Sequence, residues 1–316
     1  MSELLYLECT AGISGDMAAA ALLDVGADEA AVRRALDSLP VEGFSIEISR
    51  VTKSGLDVCD FNVVLDEEHE NHDHDLAYLH GQGPADGKHE CGHGCEQELD
   101  HEHGHTHGHG HTHEHGHERG HDHGREREHS HGHSHDHGTG HDHIHRGLRD
   151  IEEIIQVAAM TDGAKELARA MFAIVADAEA RAHGIPVDKV HFHEVGAVDS
   201  IADIVAIAVA VDSLAPAGVV VTDLPCGYGT VRCQHGLIPV PAPATAFIAQ
   251  AHGIALTPVP VEGELVTPTG AAVVAALRTQ DRLPERFVIK RIGMGGGKRA
   301  YETSGILRAM LIEPLA

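Results

Sequence analysis

Apolar residues recur along this chain in several rhythms, and each rhythm predicts a different element. The run LLYLE, Leu4 to Glu8, is short and continuously apolar and predicts a buried strand. After CTAGISGD, the segment MAAAALLDVG predicts a helix with Gly26 as its C-terminal stop. ADEAAVRRALDSL predicts a second, amphipathic helix ended by Pro40. FSIEISRVTKSGLDVCDFNVVLD alternates apolar and polar residues on both sides of Ser54-Gly55, the signature of two strands or a hairpin.

From His69 to about Arg146 the rhythm disappears: apolar residues are almost absent after Leu79, and Gly, His, Asp and Glu dominate. Such a segment offers too little apolar surface to offset the ordering entropy of its backbone, so disorder is expected unless metal binds. Periodicity resumes in GLRDIEEIIQVAAM and DGAKELARAMFAIVADAEARAHG, two helices with apolar residues three and four apart. An almost wholly apolar helix is expected from about Asp199 to Leu214. GVVVTDLP reads as a strand, VPAPATAFIAQAHG as a helix entered through prolines, and ELVTPTGAAVVAALRT as strand, turn and helix. RFVIKRIGMGGGKRA and GILRAMLIE read as paired strands.

Together these elements predict a mixed α/β or α+β fold, a mixed sheet with packed helices, interrupted by a long disordered His-rich insertion. The expected organisation is residues 1–68 and 147–280 as the core, 69–146 as the insertion, and 281–316 as the start of a C-terminal region.

Composition narrows the function. All but five of the 30 histidines lie between His69 and His145. Imidazole is largely neutral at pH 7 and suits Ni, Zn, Cu and Fe. Dense ligands without fixed geometry suit storage or delivery rather than catalysis, and CGHGC at Cys91 to Cys95 adds thiolates. The plain alternative is a solvated linker that binds metal incidentally. A net charge of −26 argues against nucleic acid and anionic membrane as partners. With no basic-then-apolar leader at the start and six scattered cysteines, a cytoplasmic protein with reduced thiols is expected.

HFHEVGAVDSIAD is the sharpest motif. In an extended segment His191 and His193 project to the same face; Glu194 follows, and Asp199 and Asp203 stand four apart on the next helix. These five residues are the expected metal ligands, an N/O set for a divalent transition metal. Satisfied core groups are the alternative, although a carboxylate at Asp203 inside so apolar a helix is costly without a partner.

CTAGISGDM sets Gly12 and Gly15 between strand and helix, where backbone N–H groups suit a phosphate, or simply make a tight turn capped by Ser14 or Asp16. Asp16 repels a phosphate unless it holds a cation or a proton. Thr267 and Thr269 precede a helix, and GMGGGKR sets Gly293, Gly295, Gly296 and Gly297 before Lys298 and Arg299, either a phosphate cradle or a glycine-rich turn. Gly12, Gly15, Thr267, Thr269, Gly295 and Lys298 are the expected cofactor-binding residues. CGYGTVRCQHG brings Cys226, Cys233 and His235 together without a recognised zinc spacing.

In order, LYLECTAGISGDMAAAALLDVG, the His-rich insertion, AEARAHGIPVDKVHFHEVGAVDSIADIVA, HGLIPVPAPATA and GELVTPTGAA resemble the LarC family of nickel-insertion proteins over nearly the whole chain outside the insertion. The resemblance implies insertion of Ni into pyridinium-3,5-bisthiocarboxylic acid mononucleotide, with a metal–carbon bond formed in a CTP-dependent reaction that uses Mg or Mn. The mature nickel-pincer nucleotide would pass to a racemase or epimerase of the lactate racemase type. Glu194, His193 and Asp16 are then the expected catalytic residues, Glu194 or His193 accepting the proton lost from carbon. Glu8 stands where the family usually has Asp. Longer family members continue past the position of Ala316, and their nucleotide-binding part lies largely there. The resemblance therefore implies a separately encoded second polypeptide. The competing readings are a non-catalytic nickel store or chaperone and a metal-dependent hydrolase.

Overall fold

The computed structural model describes residues 3–66, 146–192, 198–233 and 235–315. The His-rich stretch, expected to be disordered, lies outside the described residues, as do His193 and Glu194.

The chain opens with β1 (Leu4–Glu8), α1 (Gly15–Asp24), α2 (Glu29–Asp37), β2 (Phe44–Lys53) and β3 (Leu56–Leu65). After the insertion come β4 (Arg146–Gly147), α3 (Leu148–Val157), α4 (Asp162–His183), β5 (His191–Phe192) and α5 (Val198–Leu214). The remainder is β6 (Val219–Val220), β7 (Leu224–Tyr228), β8 (Thr230–Cys233), β9 (Gly236–Pro239), α6 (Pro243–His252), β10 (Leu256–Glu262), α7 (Pro268–Leu277), β11 (Phe287–Gly296) and β12 (Ile306–Pro314).

Six strands form one mixed sheet in the order β2-β3-β11-β12-β1-β6. β12 runs antiparallel to both β1 and β11, while β6 is parallel to β1 and β3 to β11. The alternation in β1 divides its side chains: Leu5 and Leu7 enter the main core with the helices, and Leu4 and Tyr6 join a small cluster with Val220, Met310 and Ile312. This is the period-two arrangement of a sheet with helices packed on one face. Ser54 and Gly55 both have positive φ, 51° and 78°, the two-residue turn that matches strand twist in the β2–β3 hairpin.

The almost wholly apolar α5 is the central helix, buried along nearly its whole length and touching α1, α2, α4 and β3. Helix starts follow the side-chain chemistry. Asp28 accepts from the Ala31 amide at 3.0 Å, Thr161 from Ala164 at 3.1 Å and Thr267 from Gly270 at 3.1 Å, which caps α2, α4 and α7.

Two expectations change. GVVVTDLP is two short strands in different sheets, because the chain leaves the main sheet after Val220 and pairs again as β7 with β10. Val266 makes a single bridge to Ile13 rather than a strand, since Thr267 already caps α7. RFVIKRIGMGGGKRA and GILRAMLIE supply β11 and β12, paired as expected, and β12 lies between β11 and β1 inside the sheet. β8, β9 and β10 carry no clear alternation and were not expected.

Candidate functional site

The site is assembled where the starts of α1 and α7 meet the first turns of α5. Two backbone hydrogen bonds fasten the first pair: the Ile13 amide donates to the Leu265 carbonyl at 2.9 Å, and the Thr267 amide donates to the Ile13 carbonyl at 3.2 Å. α1 then lies directly on α5. A Cβ added at Gly15 would stand 2.9 Å from Asp203 Cγ, closer than packing permits. Glycine at position 15 is thus what lets α1 start against the Asp203 carboxyl.

α1 is also a helix whose N-cap side chain does not cap it. The Ser14 hydroxyl donates to Asp16 Oδ1 instead of accepting from a first-turn amide. The positive end of α1 therefore faces a group of carboxylates. Asp203 Oδ1 is buried and has no hydrogen-bond partner among the described residues. Burial pushes the Asp203 carboxyl well above the usual carboxylate range, the charges of Asp16 and Asp199 push it further, and Lys298 pulls it back.

A second ring of charge surrounds the first. Asp60 on β3 is also raised, mainly by burial and partly by Asp16, with Lys298 and Lys53 opposing. Burial lowers Lys53, while Asp16 and Asp60 counteract it. Lys53 Nζ donates to the carbonyls of Gly297 and, at 2.9 Å, Arg299, and so holds the loop after β11. Lys298 Nζ donates to Asn62 Oδ1.

Beside this centre opens a cleft of about 560 Å³ lined by Tyr228, Glu262, Glu264, Arg299 and Tyr301. That size suits a mononucleotide-sized ligand, since small-molecule pockets run to roughly 300–1,000 Å³. Arg299 pairs with the buried Glu264 at 3.0 Å, and Tyr301 donates to the Glu264 carbonyl at 2.9 Å. Burial works against the Arg299 charge, but Glu264 and Tyr301 outweigh it and keep the guanidinium protonated.

The structure therefore brings together Asp16, Asp199, Asp203, Gly15 and Lys298, with Thr267 at the adjoining helix start. Thr269 is buried in the first turn of α7. His191 is placed by its backbone in β5, opposite Gly147; the assignments of His193 and Glu194 fall outside the described residues.

At two of the glycines expected in a phosphate cradle the structure shows close backbone packing. Gly12 donates its amide to the Cys9 carbonyl at 2.9 Å, and its α-carbon face is filled by the Leu265 backbone. The α-carbon face of Gly295 is covered by Met17 and Ala21 of α1, with the Ala21 nitrogen 2.6 Å from where a Cβ would stand. At both positions the close approach of a neighbouring backbone requires glycine. Sequence reasoning missed Lys53, Asp60 and the Glu264–Arg299 pair. Asp60 carried a signal, an acid flanked by apolar residues within an alternating strand.

A one-faced sheet supporting a group of partly buried carboxylates, with an arginine-lined cleft beside it, defines an α/β protein with an acidic centre. Among the described residues no three His, Cys, Asp or Glu side chains already form a cage for a metal ion. The sequence matches the nickel insertion protein family over residues 5–315, and the chain belongs to that family. It is 43% identical over 316 residues to the pyridinium-3,5-bisthiocarboxylic acid mononucleotide nickel insertion protein of Alkaliphilus metalliredigens, covering 99% of this chain and 61% of that protein. Proteins of the same name from Geobacillus kaustophilus and Acetivibrio thermocellus are 33% and 31% identical, each over 98% of this chain and 60% of their own length. The chain thus spans about three fifths of the length of the curated relatives it matches. No solved structure matches it. No helix among the described residues is long and apolar enough to cross a membrane.

Proposed function

We propose that this chain inserts nickel into pyridinium-3,5-bisthiocarboxylic acid mononucleotide, completing a nickel-pincer nucleotide for a racemase or epimerase. The observation that carries the reading is the buried Asp203 Oδ1, without a donor among the described residues, at the start of α1 and beside Asp16 and Asp199. A buried carboxylate oxygen with no donor calls for a cation or a proton. Insertion supplies both in turn. Nickel, the cargo, arrives as a cation, and metallation of a ring carbon releases a proton that a carboxyl raised by burial, such as Asp203, is suited to accept.

In this reading His191, His193 and Glu194 complete an N/O ligand set with Asp199 and Asp203. The cleft at Arg299 takes the precursor: the guanidinium suits a phosphate, and the faces of Tyr228 and Tyr301 suit a cationic ring. Glu264 precedes Leu265, which is bonded to Ile13, and Arg299 follows Lys298, so cleft and carboxylates share the same local framework. CTP with Mg or Mn, and a second polypeptide, belong to this proposal.

The test is reconstitution from the purified chain, with and without a C-terminal polypeptide, given Ni(II), CTP, Mg(II) and precursor; activation of an apo-racemase is the readout. Asp203→Asn is expected to lower insertion by at least about 100-fold, the usual scale for loss of a general base. His193→Ala is expected to lower it as well. Deleting His69–His145 should leave insertion intact at saturating nickel and weaken it when nickel is scarce. Full insertion by both point variants would overturn the reading in favour of a nickel store or chaperone.

A further inference from the structure

A second group of ligating side chains lies outside the carboxylate centre, at the end of α4 and the turn between β8 and β9. Glu179 and His183 stand one turn apart on α4, with Glu179 Oε2 3.5 Å from His183 Nε2. The His183 ring faces the His235 ring with centroids 4.9 Å apart. His235 Nδ1 in turn lies 3.7 Å from Cys233 Sγ. Four groups that bind transition metals thus form a continuous chain of neighbours, brought together from positions about fifty residues apart.

The spacings are informative. Ligands held tetrahedrally by one metal, at roughly 2.0–2.1 Å for N or O and 2.3 Å for S, stand about 3.3–3.6 Å apart. The N···O and N···S separations here lie within a few tenths of an ångström of those edges. Glu179, His183 and His235 also line a cavity of about 260 Å³, walled by Phe192, Ala242, Pro243 and Pro268. An apolar wall with polar ligands at one side is the usual environment of a bound metal, since it limits competition from water. The two pairs do not yet converge on one point. His235 is exposed at the turn after β8, so rotation of its side chain would bring the two pairs together.

We infer that Glu179, His183, Cys233 and His235 form a second metal site, with a mixed nitrogen–sulfur–oxygen ligand set suited to a borderline divalent ion such as Ni(II), Co(II) or Zn(II). Its chemistry differs from that of the buried carboxylates. Thiolate and imidazole ligands, open to solvent on one side, suit capture and hand-over of the ion. The location supports this role. Pro268 of the cavity wall follows Thr267, whose amide is bonded to Ile13 at the entrance to α1. The site deepens the insertion reading by giving nickel an entry point, but its test reads metal binding alone, so either reading can fail without the other.

The experiment uses the full chain carrying Cys91→Ala and Cys95→Ala, which removes the insertion's thiolates. Titration with Co(II) is expected to produce a thiolate-to-metal charge-transfer band. Cys233→Ser should abolish the band, His183→Ala and His235→Ala should shift or weaken it, and Asp203→Asn should leave it unchanged. In parallel, alkylation of Cys233 in the unmutated chain, read by peptide mass mapping, should slow at least about tenfold with Ni(II), because a metal-bound thiolate is withheld from electrophiles. That protection should be lost in His183→Ala. A band that survives Cys233→Ser, or alkylation indifferent to Ni(II) or to His183, would overturn the site.

Discussion

Gly12–Gly15 and Gly293–Gly297 look alike in the sequence, each a small-residue run beside a helix or a basic pair, yet the fold uses them differently. Gly293, Gly295 and Gly297 occupy alternate positions along and just past β11 and present one smooth face to α1. A Cβ at Gly297 would lie 2.8 Å from Met17 Sδ, and at Gly293 or Gly295 it would overlap the α1 backbone itself. Their partners are Met17, Ala20, Ala21 and Val25, one stripe of a helix with small residues at its centre. Gly15 instead meets a carboxyl group, not a backbone. Missing side chains serve packing alone at Gly293–Gly297, whereas Gly15 brings a carboxyl group to a helix start. Glycine spacing therefore reports close approach, and only the approaching partner says whether chemistry follows.

The largest test of this contrast is Gly295→Ala. With backbone on the far side and nothing able to yield, it should cost about 3 kcal/mol, the upper part of the range for overpacking, read as a lower urea midpoint. The folded fraction should keep its insertion activity. A cost under about 1 kcal/mol would mean that α1 is not pressed on β11 as described.

Gly15→Ala is expected to cost less, about 1–2 kcal/mol, because the Asp203 side chain gives way more readily than backbone. Its effect on insertion should be out of proportion to that loss, since the group displaced is the carboxyl itself. Equal effects on stability and insertion would erase the distinction between the two runs.

The smallest effect is a pH dependence. The Asp203 carboxyl is raised in the folded chain. Below the ordinary aspartate value of about 3.9, folded and unfolded forms both hold the proton. As pH rises from there towards the folded value, the unfolded form gives up its proton first, so the contribution of Asp203 to stability falls. Asp203→Asn removes that loss. The Tm advantage of the variant should grow with pH across this window and then level off; a constant difference would show that Asp203 is not held in a desolvated place.

Much of the architecture was legible in the chain. The period of α4, the alternation either side of Ser54-Gly55 and the continuous apolar run of α5 each identify an element, because local burial needs leave a direct trace in residue order. Asp203 was legible for the same reason: an acid flanked by Ile201, Ala202, Ile204 and Val205 in so apolar a helix is conspicuous. Lys53, Asp60 and the Glu264–Arg299 pair were not, because isolated polar residues look like surface until the fold buries them. His183 and Glu179 were hidden in the same way, looking like the solvated end of a helix.

What residue order determined was which segments are strands and helices, which stretch carries the histidines, and the family resemblance. What only tertiary structure decided was which neighbours those segments acquire. Contacts such as Gly15 with Asp203, Gly295 with Ala21, or His183 with His235 join residues far apart along the chain, and no periodicity encodes them. They arise when helices settle on a sheet at a fixed separation, and that separation selects which polar groups are left facing one another inside.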